Sequence, residues 1–179
     1  MPILMDSERI SRSLTRIAHE IVERNRGVGD LALVGVRTRG VPIARRLAAT
    51  LREITGVEVA TGSLDITLYR DDLMKTAVGP QPIVRRTEIP FSIDGRHIVL
   101  VDDVLYTGRT IRSALDALID FGRPSTIQLV VLIDRGHREL PIEAQYVGRK
   151  IPTSSREIIE VKFTEVDELE KVLLVEKVD

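Results

Sequence analysis

The chain reads as an α/β protein, a mostly parallel twisted sheet flanked by helices. Three observations predict this. Short apolar runs rich in β-branched residues at 31–36, 98–101 and 126–133 suit strands buried on both faces of a parallel sheet. Segments with apolar residues at helical spacing lie between them, and strand alternating with helix argues for right-handed crossovers. The runs end in charged or glycine-containing residues, at the edge where open α/β sheets take their ligands.

Taken in order, residues 7–26 form an amphipathic helix whose core side carries Ile10, Leu14, Ile17, Ala18, Ile21 and Val22. Strand 31–36 runs into Arg37-Thr38-Arg39-Gly40. Pro42 suits the first turn of the next helix, whose stripe is Ile43, Leu47, Ala48 and Leu51. Val59 to Tyr69 is expected as one extended strand. Residues 70–90 then change character, with Gly79, Pro80, Pro82 and Pro90 among mixed charges, and are expected as a mobile loop. Strand 97–101, helix 110–121 and strand 126–133 follow. Glu157 to Phe163 and Val172 to Val175 predict β-structure outside the main sheet. A length of 179 residues without repeat or linker fits one domain, 1–179.

Composition sets outer bounds. Hydrophobic residues make up 43% and charged residues 30%, as in ordinary globular proteins. No apolar segment approaches the ~20 residues that span a bilayer, and no leader opens the chain. The absence of cysteine excludes a disulfide framework and fits the cytoplasm. A formal charge of −1 argues against wholesale coating by nucleic acid, although 26 Lys and Arg leave room for a local basic face.

The most informative run is Ile98-Val99-Leu100-Val101-Asp102-Asp103-Val104-Leu105-Tyr106-Thr107-Gly108-Arg109-Thr110. A buried strand ends in two carboxylates, and a Thr-Gly-x-Thr turn leads into a helix. Helix N-termini offer unpaired N–H groups to anions; Gly108 permits close backbone approach, and Thr107 and Thr110 add hydroxyl donors. Carboxylates repel phosphate, so Asp102 and Asp103 make sense facing sugar hydroxyls or a hard cation such as Mg²⁺ beside it. The competing reading is a capping Asp with a solvated neighbour. No G-x-x-x-x-G-K-[ST] or G-x-G-x-x-G run accompanies the pair, which excludes a Walker triphosphate site and a dinucleotide fingerprint. Thr38, Arg39 and Gly40 end another buried strand and should share the ligand edge, where a guanidinium and exposed amides suit a diphosphate. An ordinary strand–helix turn with a surface arginine is the alternative.

The run 98–110 resembles the phosphoribosyl diphosphate (PRPP) motif of type I phosphoribosyltransferases. With 64–73 (LDITLYRDDL) and 134–141 (DRGHRELP), the resemblance narrows to the PyrR family of pyrimidine-operon attenuation regulators with uracil phosphoribosyltransferase activity. It spans residues from about Ile10 to Ser155. The resemblance implies a type I phosphoribosyltransferase fold with a small hood. It also implies transfer of ribose 5-phosphate from Mg²⁺–PRPP to uracil, giving UMP and pyrophosphate. Val104, Leu105, Tyr106, Thr107, Gly108, Arg109 and Thr110 would surround the 5′-phosphate, with Tyr106 packing rather than reacting. Asp102 and Asp103 would hold the ribose and, with the substrate, the metal; no dedicated metal ligand set is assigned. Thr38, Arg39 and Gly40 would hold pyrophosphate, joined by Arg70 at the hinge of a loop that closes over the reacting centre. Uracil selection by backbone groups is expected around Ile133 to Arg135.

The outer face of helix 7–26 carries Arg12, Thr15, Arg16 and His19; by pattern alone, a solvated side balanced by Glu20 and Glu23 is the commoner reading of such a face. The resemblance implies that Thr15, Arg16, His19 and Arg24, with His137, Arg138 and Arg149, bind leader mRNA of a pyrimidine operon under the control of UMP or UTP. It further implies a homo-oligomer, dimer or hexamer. Glu143 departs from the basic residue usual at that position in the family. With 3% aromatic residues, base stacking contributes little and recognition falls to arginine, histidine and backbone groups. Two other functions compete: a purine phosphoribosyltransferase without an RNA role, and an RNA regulator that has lost turnover.

Overall fold

A computed structural model describes residues 1–70 and 86–178. The main sheet is parallel throughout and has the order β3-β2-β4-β5-β6, built from β2 (Leu31–Val36), β3 (Ala60–Leu64), β4 (His97–Leu105), β5 (Thr126–Asp134) and β6 (Tyr146–Lys150). A separate antiparallel sheet, β1-β8-β7, joins β1 (Ile3–Asp6) to β7 (Glu157–Lys162) and β8 (Lys171–Glu176). Helices α1 (Ser7–Asn25) and α2 (Gly40–Thr55) share one core with the antiparallel sheet, through Ile17, Leu47, Ile159, Phe163 and Val172. Helix α3 (Arg109–Ile119) closes a second core on the opposite face, around Leu100, Ile111, Leu118 and Val131.

The order of the strands locates the ligand edge. From β2 the chain crosses through α2 to β3, and from β4 it crosses through α3 to β5 on the other side. The connections therefore diverge between β2 and β4, leaving a crevice at their carboxyl ends. Pairing of β2 with β4 stops at Gly35–Val101, whereas β4 continues against β5 to Leu105–Asp134. Residues 102–105 thus project beyond β2 with one edge open.

Several boundaries differ from the sequence reading. Strand 97–101 extends to Leu105, so the acid pair lies within β4 rather than capping the next helix. The expected strand 59–69 stops at Leu64, because the Asp65 carboxylate accepts the Thr67 amide (2.9 Å) and hydroxyl (2.6 Å) and folds the chain into a 3₁₀ turn, Thr67–Tyr69. Of the proposed loop 70–90, residues 71–85 lie outside the described part. Residues 86–90 hold to the sheet edge, with Ser63 and Glu88 exchanging two backbone hydrogen bonds of 2.8 Å. Helix α1 matches expectation: the Asp6 carboxylate accepts the Arg9 amide at 2.9 Å, and Arg26, at φ 53°, ends the helix with Gly27 bonding back to the Val22 carbonyl. Strands β1 and β6 had no clear periodic signal. Among the described residues, no helix is long and apolar enough to cross a membrane.

Candidate active site

A cleft of about 240 Å³ opens at the divergence of β2 and β4, lined by Thr38, Arg39, Arg70, Asp102, Asp103, Val104 and Thr110, with Asp65 and Thr67 on the β3 side. Larger hollows of about 460 and 830 Å³ lie elsewhere, and neither contains the acid pair. Close backbone packing shapes the cleft floor. A β-carbon on Gly40 would overlap the Val101 carbonyl oxygen, and one on Gly35 would come within 2.6 Å of the Gly40 carbonyl oxygen. Two small residues therefore bring the start of α2 down onto β4 where the acids begin. Gly40, itself buried and absent from the cleft lining, serves this close approach.

The two carboxylates are unequal. Asp102 is 6% exposed, and burial, reinforced by the neighbouring Asp103 charge, pushes its carboxyl well above the usual carboxylate range. It accepts the Asp103 amide at 2.8 Å, while half-buried Asp103 accepts the Val104 amide at 2.8 Å and lines the cleft. Both acids line the cleft, and Asp103 is the more accessible of the two. Among the described residues no group of three or more His, Asp or Glu gathers for a metal. Oxygen donors from one or two carboxylates, completed by substrate phosphates, are nevertheless what Mg²⁺ accepts.

The turn after β4 is open to an anion. Gly108, at φ 93°, precedes α3 without any side-chain cap, and no acidic residue occupies the first helical turn. The Thr107 hydroxyl accepts the Arg109 amide at 3.2 Å, and its carbonyl receives the Glu139 and Leu140 amides. Arg109 is exposed and pairs with Glu139 at 3.2 Å. Leu105, expected near substrate, is instead buried in the second core.

At the end of β2, the Arg37–Thr38 peptide is cis. Arg39 reaches the cleft with its guanidinium already bound to Asp167: Nη2 donates at 2.6 Å and Nε at 3.2 Å. This pair raises the affinity of Arg39 for its proton. Burial pushes the Asp167 carboxyl up, but the bonds from Arg39 and the Phe163 amide hold it below its usual range. Asp167 ends the short helix α4 (Thr164–Asp167) between β7 and β8, and Arg46 ties the same connection to α2 through Glu165 and Glu170. Sequence reasoning missed Asp167 entirely, since nothing local distinguishes it within 164–170.

The residues assigned to RNA divide. Thr15, Arg16, His19 and Arg24 are exposed along α1. Arg16 donates to the Val147 (3.1 Å) and Gly148 (2.7 Å) carbonyls of β6 and to Glu20 (2.6 Å). Arg24 covers the Tyr146 ring, and Arg149 donates to the Leu4 carbonyl at 2.7 Å. These five make one α1–β6 surface. Arg138, grouped with His137 and Arg149 as a second RNA set, turns inward. It binds both Asp134 oxygens (3.0 and 2.8 Å) and the Tyr106 (2.6 Å) and Ile142 (2.7 Å) carbonyls, so it braces the turn after β4. His137 is exposed and lies edge-on to Tyr106. Around the place expected for uracil selection, Ile133 is buried and the Arg135 side chain is absent from the cleft lining.

An acid pair on an overhanging strand, a glycine-led helix start and the Arg39 turn across the crevice make an arrangement suited to phosphoribosyl transfer. In agreement, residues 3–167 match the phosphoribosyl transferase domain. The chain is 61% identical to a bifunctional protein PyrR of Pelotomaculum thermopropionicum (97% of this chain, 94% of the relative). It is 57% identical to one of Clostridioides difficile, covering 97% of each. The chain belongs to the PyrR family. Its fold is similar to that of the hypoxanthine phosphoribosyltransferase of Trypanosoma cruzi, with TM-score 0.74 and 21% identity over 98% of this chain and 97% of that one.

Proposed function

We propose that the protein transfers ribose 5-phosphate from PRPP to N1 of uracil and, when it holds a uridine nucleotide, binds the leader mRNA of a pyrimidine operon to attenuate its transcription. The observation that carries this reading is the overhang of β4: Asp103 faces the cleft directly before the turn at Gly108. The amides and hydroxyls of 107–110 take the 5′-phosphate, and Asp103 accepts from the ribose hydroxyls beside the buried Asp102. Thr38, Arg39 and Arg70 face the pyrophosphate. The C1′–oxygen bond to pyrophosphate breaks as the C1′–N1 bond forms, and the N1 proton of uracil is released to solvent. Asp103, with Asp102 beside it, would hold the Mg²⁺ that accompanies PRPP, and the ion would supply charge neutralisation of the leaving group. The side chains position and stabilise rather than form covalent intermediates.

Thr15, Arg16, His19, Arg24 and Arg149 form the RNA surface in this reading, with His137 beside the nucleotide turn. Any homo-oligomer, dimer or hexamer, must leave that surface open. The antiparallel sheet's shared core with α1 and α2 supports reading 1–179 as one domain, working in the cytoplasm. Similarity to hypoxanthine phosphoribosyltransferases concerns the fold, so purine transfer is not proposed. The test measures UMP formation from PRPP and uracil, then leader-RNA affinity with and without UMP. Product formation together with UMP-strengthened binding is expected. Transfer to hypoxanthine but not uracil, or RNA affinity indifferent to UMP, overturns the corresponding half.

A further inference from the structure

Arg135 has no part in the chemistry above, yet it is 5% exposed directly after β5. Its guanidinium lies 3.9 Å from the centre of the Tyr106 ring. Nε donates to the Thr153 hydroxyl (3.0 Å), and Nη2 donates to the Ser154 (3.3 Å) and Glu157 (2.6 Å) carbonyls. Its backbone amide donates to the Leu105 carbonyl at 3.1 Å. These partners include no carboxylate. A buried full charge is costly where an apolar side chain of similar volume packs equally well. Here the compensation comes from carbonyl dipoles and an aromatic face, which a planar guanidinium satisfies together and an ammonium does not.

The position of Tyr106 gives this contact its consequence. It joins the end of β4 to Thr107, the first residue of the phosphate turn. Its ring also meets His137 edge-on at 5.7 Å, and His137 Nε2 lies 2.6 Å from the Thr153 carbonyl oxygen. Tyr106, Arg135, His137 and Thr153 therefore close a ring of contacts.

The geometry points to Arg135 as a positioning residue that acts through Tyr106, locking the phosphate turn, the 153–157 stretch and His137 into one body, so that occupancy of the turn is transmitted to His137. The inference deepens the proposed function and rests on its assignment of the turn to the sugar phosphate.

The experiment compares full-length wild type with Arg135→Met, Tyr106→Leu and Tyr106→Phe by amide hydrogen exchange, steady-state kinetics and leader-RNA binding. In Arg135→Met, exchange at 107–110 and 153–157 should accelerate together by roughly tenfold. KM for PRPP should rise by roughly tenfold, more than kcat falls. The enhancement of RNA binding by UMP should shrink to within about twofold of none. Tyr106→Leu should reproduce the exchange change and Tyr106→Phe, which keeps the ring, should not. If Arg135→Met does not fold, the Tyr106 pair decides by the same exchange readout. Acceleration confined to 153–157, or a folded Arg135→Met matching wild type in all three readouts, overturns the inference. Should wild type neither turn over PRPP nor respond to UMP, the proposed function falls, while paired exchange at the two stretches still decides the linkage.

Discussion

The cleft between β2 and β4 and the α1–β6 surface are both rich in polar groups, but they are built in opposite ways. In the cleft, burial does the organising: Asp102 lies 6% exposed beside Asp103, and the N-cap position of α3 is Gly108, which has no side chain to cap the helix. On the α1–β6 surface the groups are exposed side chains whose arginines have internal partners: Arg16 with Glu20 and two carbonyls, Arg24 with the Tyr146 ring, Arg149 with Leu4. A buried arrangement is pre-organised and fails sharply when one member changes. An exposed one is screened by solvent and loses affinity gradually.

That contrast can be broken or sharpened experimentally. The largest effect should come from Asp103→Asn, which removes the charge placed for ribose and metal. We expect kcat/KM to fall by roughly 10²–10³ while the melting temperature stays near wild type; a rate within a few-fold of wild type would remove Asp103 from the chemistry. Next, Gly40→Ala forces a methyl group against the Val101 carbonyl. Denaturant unfolding should show a loss of about 1–3 kcal/mol, with PRPP affinity reduced as α2 shifts. Unchanged stability would mean that the close approach relaxes freely.

The third test concerns protons. Asp102 is held above its ordinary range when folded, so the folded protein binds that proton more tightly than the unfolded chain does. Its contribution favours folding at low pH and is lost as pH rises from the ordinary carboxylate value toward the raised one. Asp102→Asn should therefore melt above wild type at neutral pH, with the gap closing as pH falls through about 4. Melts across pH check this, and a gap independent of pH contradicts it. The smallest effect belongs to the exposed surface. Arg16→Ala should weaken leader-RNA binding by roughly threefold to tenfold and lower the salt slope by about one, with uracil transfer unchanged. A loss that ignores salt would show that Arg16 acts through β6 packing rather than on phosphate.

What the sequence alone determined is local. Apolar runs and helical spacing placed α1 and β2, along with the body of β4 and β5, because periodicity is written in neighbouring residues. The Asp-Asp and Thr-Gly-x-Thr pattern identified the cleft edge for the same reason. Boundaries set by side chains were less legible: Asp65 ends β3 by bonding two residues ahead, and the overhang of β4 depends on where β2 stops.

Only the tertiary structure decided which polar groups meet. It paired Arg39 with Asp167, 128 residues away, and closed Asn25, Gln128 and Tyr146 into one hydrogen-bonded cluster under α1. It also turned Arg138 inward and set Arg135 beneath Tyr106. Such contacts have no period, since charge and hydrogen-bond partners are chosen by the path of the whole chain. A sequence lists donors and acceptors, and folding alone selects which of them are buried together.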